Sequence, residues 1–465
     1  MTIAKYARPY TDVGNAEQLV AACRESVRWV AAWKSWIAWD GQRWNRDCAD
    51  LTVEREAKRV ARGMYYQASK IEDDDFRDRL AKHARTSEKR ERLRAMIELA
   101  KSEPGMSLAP DQLDRDPWLL NCANGTVDLR TGELRPHSRR DLITKLAPVV
   151  YEPDARHPVW DRHIEHVTGG DPEFADYLKR VGGYCLTGST DEEKVLLFSG
   201  GTATGKTTHL EAMRSAMGDY AATADFETFL RTGNGRGPRN DIARLVGARL
   251  VCASEVPPGR MFDEVTLKQL SGGDTISARF LYGEFFEYKP QFVICLAANH
   301  RPSVRDDDSA IWRRLKLVPF ENELAEEDRD PAVKARLTDP TDAGPAVLAW
   351  MVEGAIKWQQ DGLQEPEIVR EATQAYQSEN EVFSEFVGDC CVEGVEQWAP
   401  SVQLHTRYRD WSHVHGYKHH SGPKQFGNQL RGRDHTPDKR GGVRGWKGIG
   451  LVAPKPIVTA IKKSA

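Results

Sequence analysis

The sequence lacks the features that would assign it to a membrane or to an oxidising compartment. It has no apolar run long enough to span a bilayer and no signal-peptide pattern at its N-terminus, so we expect a protein of the cytoplasm with no membrane partner. The eight cysteines are scattered without a C-x-x-C pair, which predicts reduced thiols rather than a disulfide framework or a zinc site. Because the net charge is only −3 over 465 residues, any basic surface has to be local.

One glycine-rich segment gives the clearest indication of chemistry. It follows the apolar run 195–198, precedes an amphipathic stretch through Met217 and has the spacing G-x4-G-K-T, which predicts a strand, a phosphate-binding loop and a helix. We expect Lys206 to reach the β- and γ-phosphates of ATP and the Thr207 hydroxyl to bind magnesium. The predicted ATP-binding residues are Gly200, Gly201, Thr202, Ala203, Thr204, Gly205, Lys206, Thr207 and Thr208.

An ATP-hydrolysing site also needs an acid near magnesium and water, a polar group near the γ-phosphate and usually an external cation. Two apolar strands end in suitable residues: Glu255 can hold magnesium or polarise water, and Asn299 can orient water against the γ-phosphate. Arg313 and Arg314 follow, and either can neutralise charge in the transition state. Each feature is common on its own, so the prediction rests on their order and spacing behind the glycine loop.

The patterns predict an α/β protein with three domains. Residues 1–155 are expected to form a mostly helical domain, helical from 15 to about 105, with a β-hairpin near 125–136. Within the second predicted domain, 156–378, two helices lead into a strand at Val195, and strands and helices alternate from there to about Phe320, as in a three-layer nucleotide-binding core. Residues 379–465 form the third predicted domain.

The third predicted domain carries the most basic part of the chain. Helices are expected near 381–394, 401–415 and 423–433, and a glycine-rich basic segment follows, which is the outline of a winged helix. The last of these helices could enter a DNA groove while the basic segment contacts phosphates. The predicted DNA-binding residues in this domain are Lys424, Arg431, Lys439, Arg440, Arg444 and Lys447. A solvated basic face and a subunit-docking surface are the alternatives.

Taken together, these motifs resemble those of superfamily 3 helicases. The resemblance is greatest to the C-terminal helicase part of phage and plasmid primase–helicases, which are related to the poxvirus primase–helicase, and it extends from about Trp36 to Val452. It implies an AAA+-like three-layer P-loop ATPase core with a helical N-terminal region and a C-terminal winged helix. The matching motifs are the glycine loop, Glu255, the segment 268–274, Asn299 and Trp312-Arg313-Arg314.

The resemblance also implies how subunits would share one ATP site. Such helicases form a ring, usually a hexamer, with ATP bound between neighbouring subunits. Glu255 and Asn299 would serve the subunit that carries the loop. Arg313 would reach the ATP of the neighbour, and Arg314 is the less favoured choice.

Two positions depart from the family pattern. Ser254 precedes Glu255, so there is no acidic pair at the end of this strand. These helicases also place a DNA-gripping β-hairpin before Asn299, and here Gly283 stands where a basic hairpin residue is common. Arg279 and Tyr282 are the predicted substitutes, because they offer charge and base stacking.

The family therefore implies an ATP-dependent DNA helicase of a phage or plasmid replicon in a bacterial host cytoplasm. It would move along single-stranded DNA and unwind forked DNA. Family members often carry a primase in front; here the acidic run 73–75 lies in charged helical sequence rather than on an apolar strand, so we expect a separate primase or polymerase as partner. The alternatives are an ATP-switched DNA-binding initiator or loader with weak or no unwinding, and a small-molecule kinase.

Overall fold

The structure is a computed structural model that describes residues 10–231, 239–280, 283–304, 309–417 and 421–452. The chain folds as two compact units that divide after Tyr151. Both contain helices and sheets, so the predicted α/β class is confirmed at this level. None of the helices in the described ranges is long and apolar enough to cross a membrane.

The first unit combines four helices with two small sheets. Its helices are α1 (Asp12–Cys23), α2 (Ala49–Ala68), α3 (Asp74–Ser87) and α4 (Arg90–Ala100). One sheet has the order β3-β2-β1-β4, from β1 (Val27–Val30), β2 (Ser35–Trp39), β3 (Trp44–Asn45) and β4 (Ser107–Leu108). The other is antiparallel, from β5 (Leu119–Cys122), β6 (Gly125–Asp128) and β7 (Glu133–Arg135).

The tryptophan-rich part of the first unit forms strands within the region predicted to be largely helical. Trp29 on β1 lies opposite Trp36 on β2, with ring centroids 5.3 Å apart. Trp36 packs among the helices, whereas Ile37 faces a second apolar cluster with Trp44. Because bulky aromatic residues on alternating faces suit a pleated sheet, side-chain packing prevails here over the surrounding helical propensity.

The second unit is built around a five-stranded parallel sheet with the order β14-β8-β13-β10-β9. The sheet strands are β8 (Val195–Ser199), β9 (Ala221–Thr223), β10 (Leu250–Ser254), β13 (Val293–Ala298) and β14 (Leu315–Pro319). The helices are α5 (Pro158–Thr168), α6 (Pro172–Thr187), α7 (Lys206–Met217), α8 (Asn240–Ala243), α9 (Glu264–Ser271), α10 (Ser309–Arg314), α11 (Pro331–Thr338), α12 (Gly344–Asp361) and α13 (Glu367–Cys390). A separate hairpin joins β11 (Ile276–Arg279) to β12 (Phe285–Tyr288).

Every residue of β8 and β13 is buried, and both strands lie inside the sheet. Their sequences are continuous apolar runs, as expected for strands covered on both faces. The strands predicted between 195 and about 320 therefore form a parallel sheet, and these two buried strands lie at its centre.

The end of the second unit is a small mixed structure. It contains β15 (Cys391–Pro400), α14 (Ser401–Val414), α15 (Pro423–Gly432), β16 (Thr436–Arg440) and β17 (Val443–Leu451), with the sheet order β15-β17-β16. The helix predicted at 381–394 is wrong at its C-terminal end, because α13 stops at Cys390 and β15 pairs with β17. Helix α13 runs through the boundary proposed at 378–379. The three-domain division stays a prediction.

Helices α6 and α12 approach each other so closely that glycine is required at the crossing. A Cβ atom on Gly183 would lie 1.9 Å from the backbone nitrogen of Ala355, and one on Gly354 would lie 1.9 Å from the carbonyl oxygen of Lys179. Gly388 on α13 is exposed, and a Cβ there would meet nothing within 4 Å.

We predict that Gly183→Ala lowers the stability of the chain by about 1–3 kcal/mol, because backbone cannot yield as a side chain does. The matched control Gly388→Ala should raise stability by roughly 0.5–1 kcal/mol, since alanine favours a helix. Denaturant unfolding of the full chain measures both. Equal midpoints for the two variants would contradict the close crossing.

Candidate functional site

Three strands of the parallel sheet end together at the candidate site. Cα pairing places Ser254 beside Ala297 and Ala298 beside Ser199, so the residues that follow these strands share one edge. Carboxyl ends of parallel strands are where ligands bind in open α/β sheets. A cavity of about 450 Å³ lies there, lined by Lys206, Thr207, Glu255, Val256, Pro257, Ala297, Asn299 and His300. The structure thus brings together four residues that the sequence predicted to act in one site.

The loop between β8 and α7 is shaped by its glycines. A Cβ atom on Gly200 would lie 1.8 Å from the carbonyl oxygen of Phe320, so no other residue fits without moving the backbone. Ala203 and Gly205 have φ of +54° and +86°, which turns the chain sharply before α7 begins at Lys206. The unpaired N–H groups of the first helical turn therefore face the loop and the cavity, where an anion is favoured.

Lys206 is the cation of this loop. Its side chain is buried, and Nζ donates to the carbonyl oxygens of Gly200 and Gly201 and to Oγ1 of Thr204. Burial lowers the pKa of the ammonium group. Thr207 is exposed and lines the cavity; the remaining predicted residues, including Thr202 and Thr208, form the loop and the first turn without lining it.

Glu255 has an unusual backbone for its position. It follows β10 with φ of +69°, a left-handed conformation that costs a non-glycine residue about 1–2 kcal/mol. Such strain is found at functional sites, where the surrounding structure holds a side chain in a required direction. The exposed carboxylate lines the cavity opposite Lys206 and Thr207, where it can accept a proton or bind a cation.

The two predicted arginines do not line the cavity. Arg314 on α10 forms an ion pair of 2.7 Å with Glu193. Arg313 is exposed, and within the described ranges its guanidinium makes no hydrogen bond or ion pair. Arg314 is therefore held in an ion pair, whereas the guanidinium of Arg313 faces solvent.

Two further residues at this edge, His300 and Arg301, are not among the predicted site residues. His300 lines the cavity, and Nε of Arg301 donates to Oγ of Ser199 at 3.2 Å, the residue just before the glycine loop. The sequence signal for these two residues is their position directly after Asn299.

The predicted DNA-contacting residues lie at two places in the second unit. Arg279 ends β11 with its guanidinium over the Phe285 ring at 4.8 Å, whereas Tyr282 lies outside the described residues. The other six are exposed, two each on α15, β16 and β17. Lys439 lies directly opposite Arg444 across the β16–β17 turn, and Arg440 lies opposite Val443.

A stack of buried aromatic rings lies under the glycine loop. His209 lies 5.5 Å from both Trp160 and His163 by ring centroids, and a Cβ on Gly205 would lie 3.2 Å from Cε1 of His163. Neither ring nitrogen of His209 has a hydrogen-bond partner among the described residues. Burial lowers the pKa of His209 to about 3, and burial with the neighbouring histidines lowers that of His163 well below its usual value.

Comparisons with known proteins assign most of the chain. Residues 16–169 match the family model described as "D5 N terminal like", residues 198–314 match a "Family of unknown function (DUF5906)", and residues 378–446 match "Poxvirus D5 protein-like". Two segments of the chain are therefore similar to poxvirus D5 proteins, and the resemblance predicted from its motifs is confirmed.

The curated relatives are viral proteins. "Putative helicase L207/L206" of Acanthamoeba polyphaga mimivirus is 26% identical over 326 residues, covering 64% of this chain and 33% of the relative. "Putative helicase 022R" of Frog virus 3 is 25% identical over 381 residues, covering 65% and 39%. "Primase D5" of Fowlpox virus is 28% identical over 169 residues, covering 34% and 20%. The matched part is thus well under half the length of each relative.

Among solved structures, the C-terminal region of NrS-1 is similar over 64% of this chain and 77% of that chain. The sequence identity is 12% and the TM-score 0.39, a likeness too distant to support an argument about the site.

The buried histidines predict acid sensitivity. Because the folded pKa of His209 is depressed, the unfolded chain binds more protons below pH 6.5, so stability is full above that pH and falls as the pH drops. The loss is roughly 1–1.5 kcal/mol for each such histidine at pH 5.5. His209→Phe keeps an aromatic ring in the stack and should reduce the loss by that amount.

Thermal melting at pH 5.5 and 7.5 measures the effect. The exposed Val414→Phe on α14 is the control: it adds an aromatic ring without removing a titratable group and should melt with the wild-type pH dependence. An unchanged pH dependence in His209→Phe would show that this histidine is not buried neutral.

Proposed function

We propose that the second unit is a P-loop ATPase of the superfamily 3 helicase type, and that the chain is an ATP-dependent DNA helicase of phage or plasmid replication. The observation that carries this proposal is the convergence of Lys206, Thr207, Glu255 and Asn299 on one cavity. They come from three separate segments, so their meeting is not a consequence of the loop motif alone. Relatives named as helicases and as Primase D5 support the same role.

The residues present fit a magnesium–nucleotide ligand. Gly200 lets the loop leave β8 directly against the Phe320 carbonyl, and the first turn of α7 offers N–H donors. Thr207 and Glu255 supply hydroxyl and carboxylate oxygens, the ligand type magnesium prefers. Magnesium held there would neutralise phosphate charge during the reaction.

The chain's own residues then have distinct tasks. Lys206 exchanges its bonds to loop oxygens for bonds to the β- and γ-phosphates, and Glu255 accepts the proton of the attacking water. Asn299 orients that water against the γ-phosphate. Glu255 carries the acid role alone on its strand, because Ser254 precedes it.

Arg313 is the proposed cation in trans. It is exposed at the end of α10, outside the cavity of its own chain, so it is available to the ATP of a neighbouring subunit. Arg314 is held by Glu193 and supports the packing of α10. This arrangement fits a closed head-to-tail ring, for which a hexamer is the expected size.

We propose that the C-terminal module, residues 391–452, is a winged helix with its basic wing at the β16–β17 turn. Lys439 and Arg444 lie directly opposite each other, and like charges in that position repel. Phosphate bound between them would relieve the repulsion, which favours DNA as the partner over a merely solvated face. Arg279 on the β11–β12 hairpin is the second proposed DNA contact, and a separate primase is the proposed protein partner.

A second function, an ATP-switched initiator or loader with weak unwinding, is favoured by one observation. A cavity of about 530 Å³ is lined both by Asn299 and His300 and by Lys424 and Gln425 of α15. The C-terminal module therefore borders the same cavity as Asn299 of the candidate site, as a DNA-binding switch requires.

We predict that Lys206→Ala abolishes ATP turnover and unwinding, because the buried cation of the phosphate loop is lost. Glu255→Gln should retain ATP binding but lower turnover by about 10² to 10⁴, the usual contribution of a general base. The exposed Lys334→Ala on α11 is the control and should behave as the wild type. Turnover with and without single-stranded DNA, and unwinding of forked DNA, are measured together.

DNA-stimulated turnover with unwinding would establish a motor. Turnover that ignores DNA, without unwinding by the assembled protein, would overturn the helicase proposal and favour the initiator or loader. Full activity in Lys206→Ala would overturn the ATPase site itself.

For the wing we predict that Lys439→Ala with Arg444→Ala weakens DNA binding equally for all sequences. Two lost phosphate contacts should reduce the slope of log Kd against log salt by about 1.5. Fluorescence anisotropy at several salt concentrations measures the slope, and the exposed Arg409→Ala on α14 is the control. A slope identical to that of the wild type would remove the wing from the DNA interface.

A further inference from the structure

Arg301 lies between the phosphate-loop strand and helix α13. Its Nε donates to Oγ of Ser199 at 3.2 Å, and its Nη1 lies 3.7 Å from Oε2 of Glu379. The guanidinium lies over the ring of Tyr376 at 5.9 Å. One cation thus contacts the residue that precedes Gly200 and two residues of α13.

Glu379 extends this contact to α15. Nε2 of Gln425 donates to its Oε2 at 2.9 Å, and Nε2 of Gln429 donates to its carbonyl oxygen at 3.1 Å. Burial raises the pKa of the Glu379 carboxyl, while Arg301 and Gln425 favour its charged form. Without Arg301, this half-buried carboxylate would lose its cation. The charged form of Glu379 would then be stabilised by the hydrogen bond from Gln425.

The segment after Asn299 is also fixed to α13 by its backbone. The Tyr376 hydroxyl donates to the carbonyl oxygen of Pro302, and the backbone N–H of Val304 donates to Oδ1 of Asn380 at 3.1 Å. Asn380 in turn donates to the carbonyl oxygen of Tyr376. A displacement of this segment would therefore move α13 as well as the residues that line the candidate phosphate site.

The cavity of about 530 Å³ completes the connection. Asn299 and His300 line both this cavity and the one that holds Lys206, so a single two-residue segment separates the candidate phosphate site from α15. On the opposite wall are Lys424 and Asn428 of the helix proposed to contact DNA.

We infer that Arg301 is a positioning residue that couples the nucleotide site to DNA contact at α15, acting through Glu379. The inference rests on the proposed function. When Asn299 binds the γ-phosphate, Arg301, two residues further on, shifts relative to Ser199 and Glu379. This shift moves Glu379, which accepts the hydrogen bonds of Gln425 and Gln429 on α15. Coupling of this kind is reciprocal, so DNA at α15 changes ATP affinity by the same factor that ATP changes DNA affinity.

The test measures the coupling factor, which is the ratio of DNA Kd values without and with magnesium and a non-hydrolysable ATP analogue. We expect a factor of about 5 or more in the wild type, within the usual range for coupled sites. Arg301→Ala and Glu379→Gln should each bring it to within about twofold of unity. Arg301→Lys, which keeps the charge but not the fork of donors, should restore part of it.

Two controls separate coupling from loss of structure. The double variant of Arg301→Ala with Glu379→Gln should be no worse than either single variant, because the two residues act as one pair. Arg329→Ala removes an ion pair with Glu323 elsewhere in the same unit and should keep the wild-type factor. Analogue binding to Arg301→Ala without DNA should stay near wild type, which a collapsed site would not show.

The outcomes distinguish this inference from the proposed function. A wild type that binds no ATP analogue overturns both. A wild type that binds analogue and DNA without coupling, or whose coupling survives in Arg301→Ala and Glu379→Gln, overturns the inference and leaves the ATPase standing. Loss of coupling in both variants, with each ligand still bound separately, supports it.

Discussion

The parallel alignment of β8 between β13 and β14 is the constraint on which the candidate site depends. It sets the ends of three strands at one edge, and it brings the carbonyl oxygen of Phe320 so close to Gly200 that the loop can leave the sheet only through a glycine. The pairing of β8 with β13 places Asn299 beside the loop, and the pairing of β10 with β13 brings Glu255 to the same edge. The chemistry proposed for the chain follows from this one packing arrangement, because none of these side chains would converge in another strand order.

The sheet edge that carries the candidate site packs on a stack of aromatic rings and is bonded on one side to α13. Below it, the buried rings of Trp160, His163 and His209 pack under the loop and support it together with the hydrogen bonds of Lys206. To the side, the segment after Asn299 is bonded to α13, and α13 continues into the C-terminal module. The proposed ATP site and the proposed DNA contacts are therefore joined by short contacts within one unit, which is the basis for the inferred coupling.

Much of the candidate site could be predicted from sequence because its signals are local. The spacing from Gly200 to Thr207 identifies the loop, and Glu255 and Asn299 stand at the ends of apolar runs. Strand β15 was missed because its pairing partner, β17, follows about two helices later and its own residues include glycine and glutamate. The bond between Arg301 and Glu379 joins residues far apart in sequence, so no local pattern contains it. The role proposed for Arg313 involves a second subunit, so it came from the family resemblance and not from a local pattern.

An experimental structure of the chain with magnesium and a non-hydrolysable ATP analogue would locate the nucleotide directly. We predict the β-phosphate in the loop between Gly200 and Gly205, with magnesium at the Thr207 hydroxyl and the γ-phosphate facing Asn299. A nucleotide bound elsewhere on the chain, or bound with its phosphates away from Lys206, would overturn the proposed site.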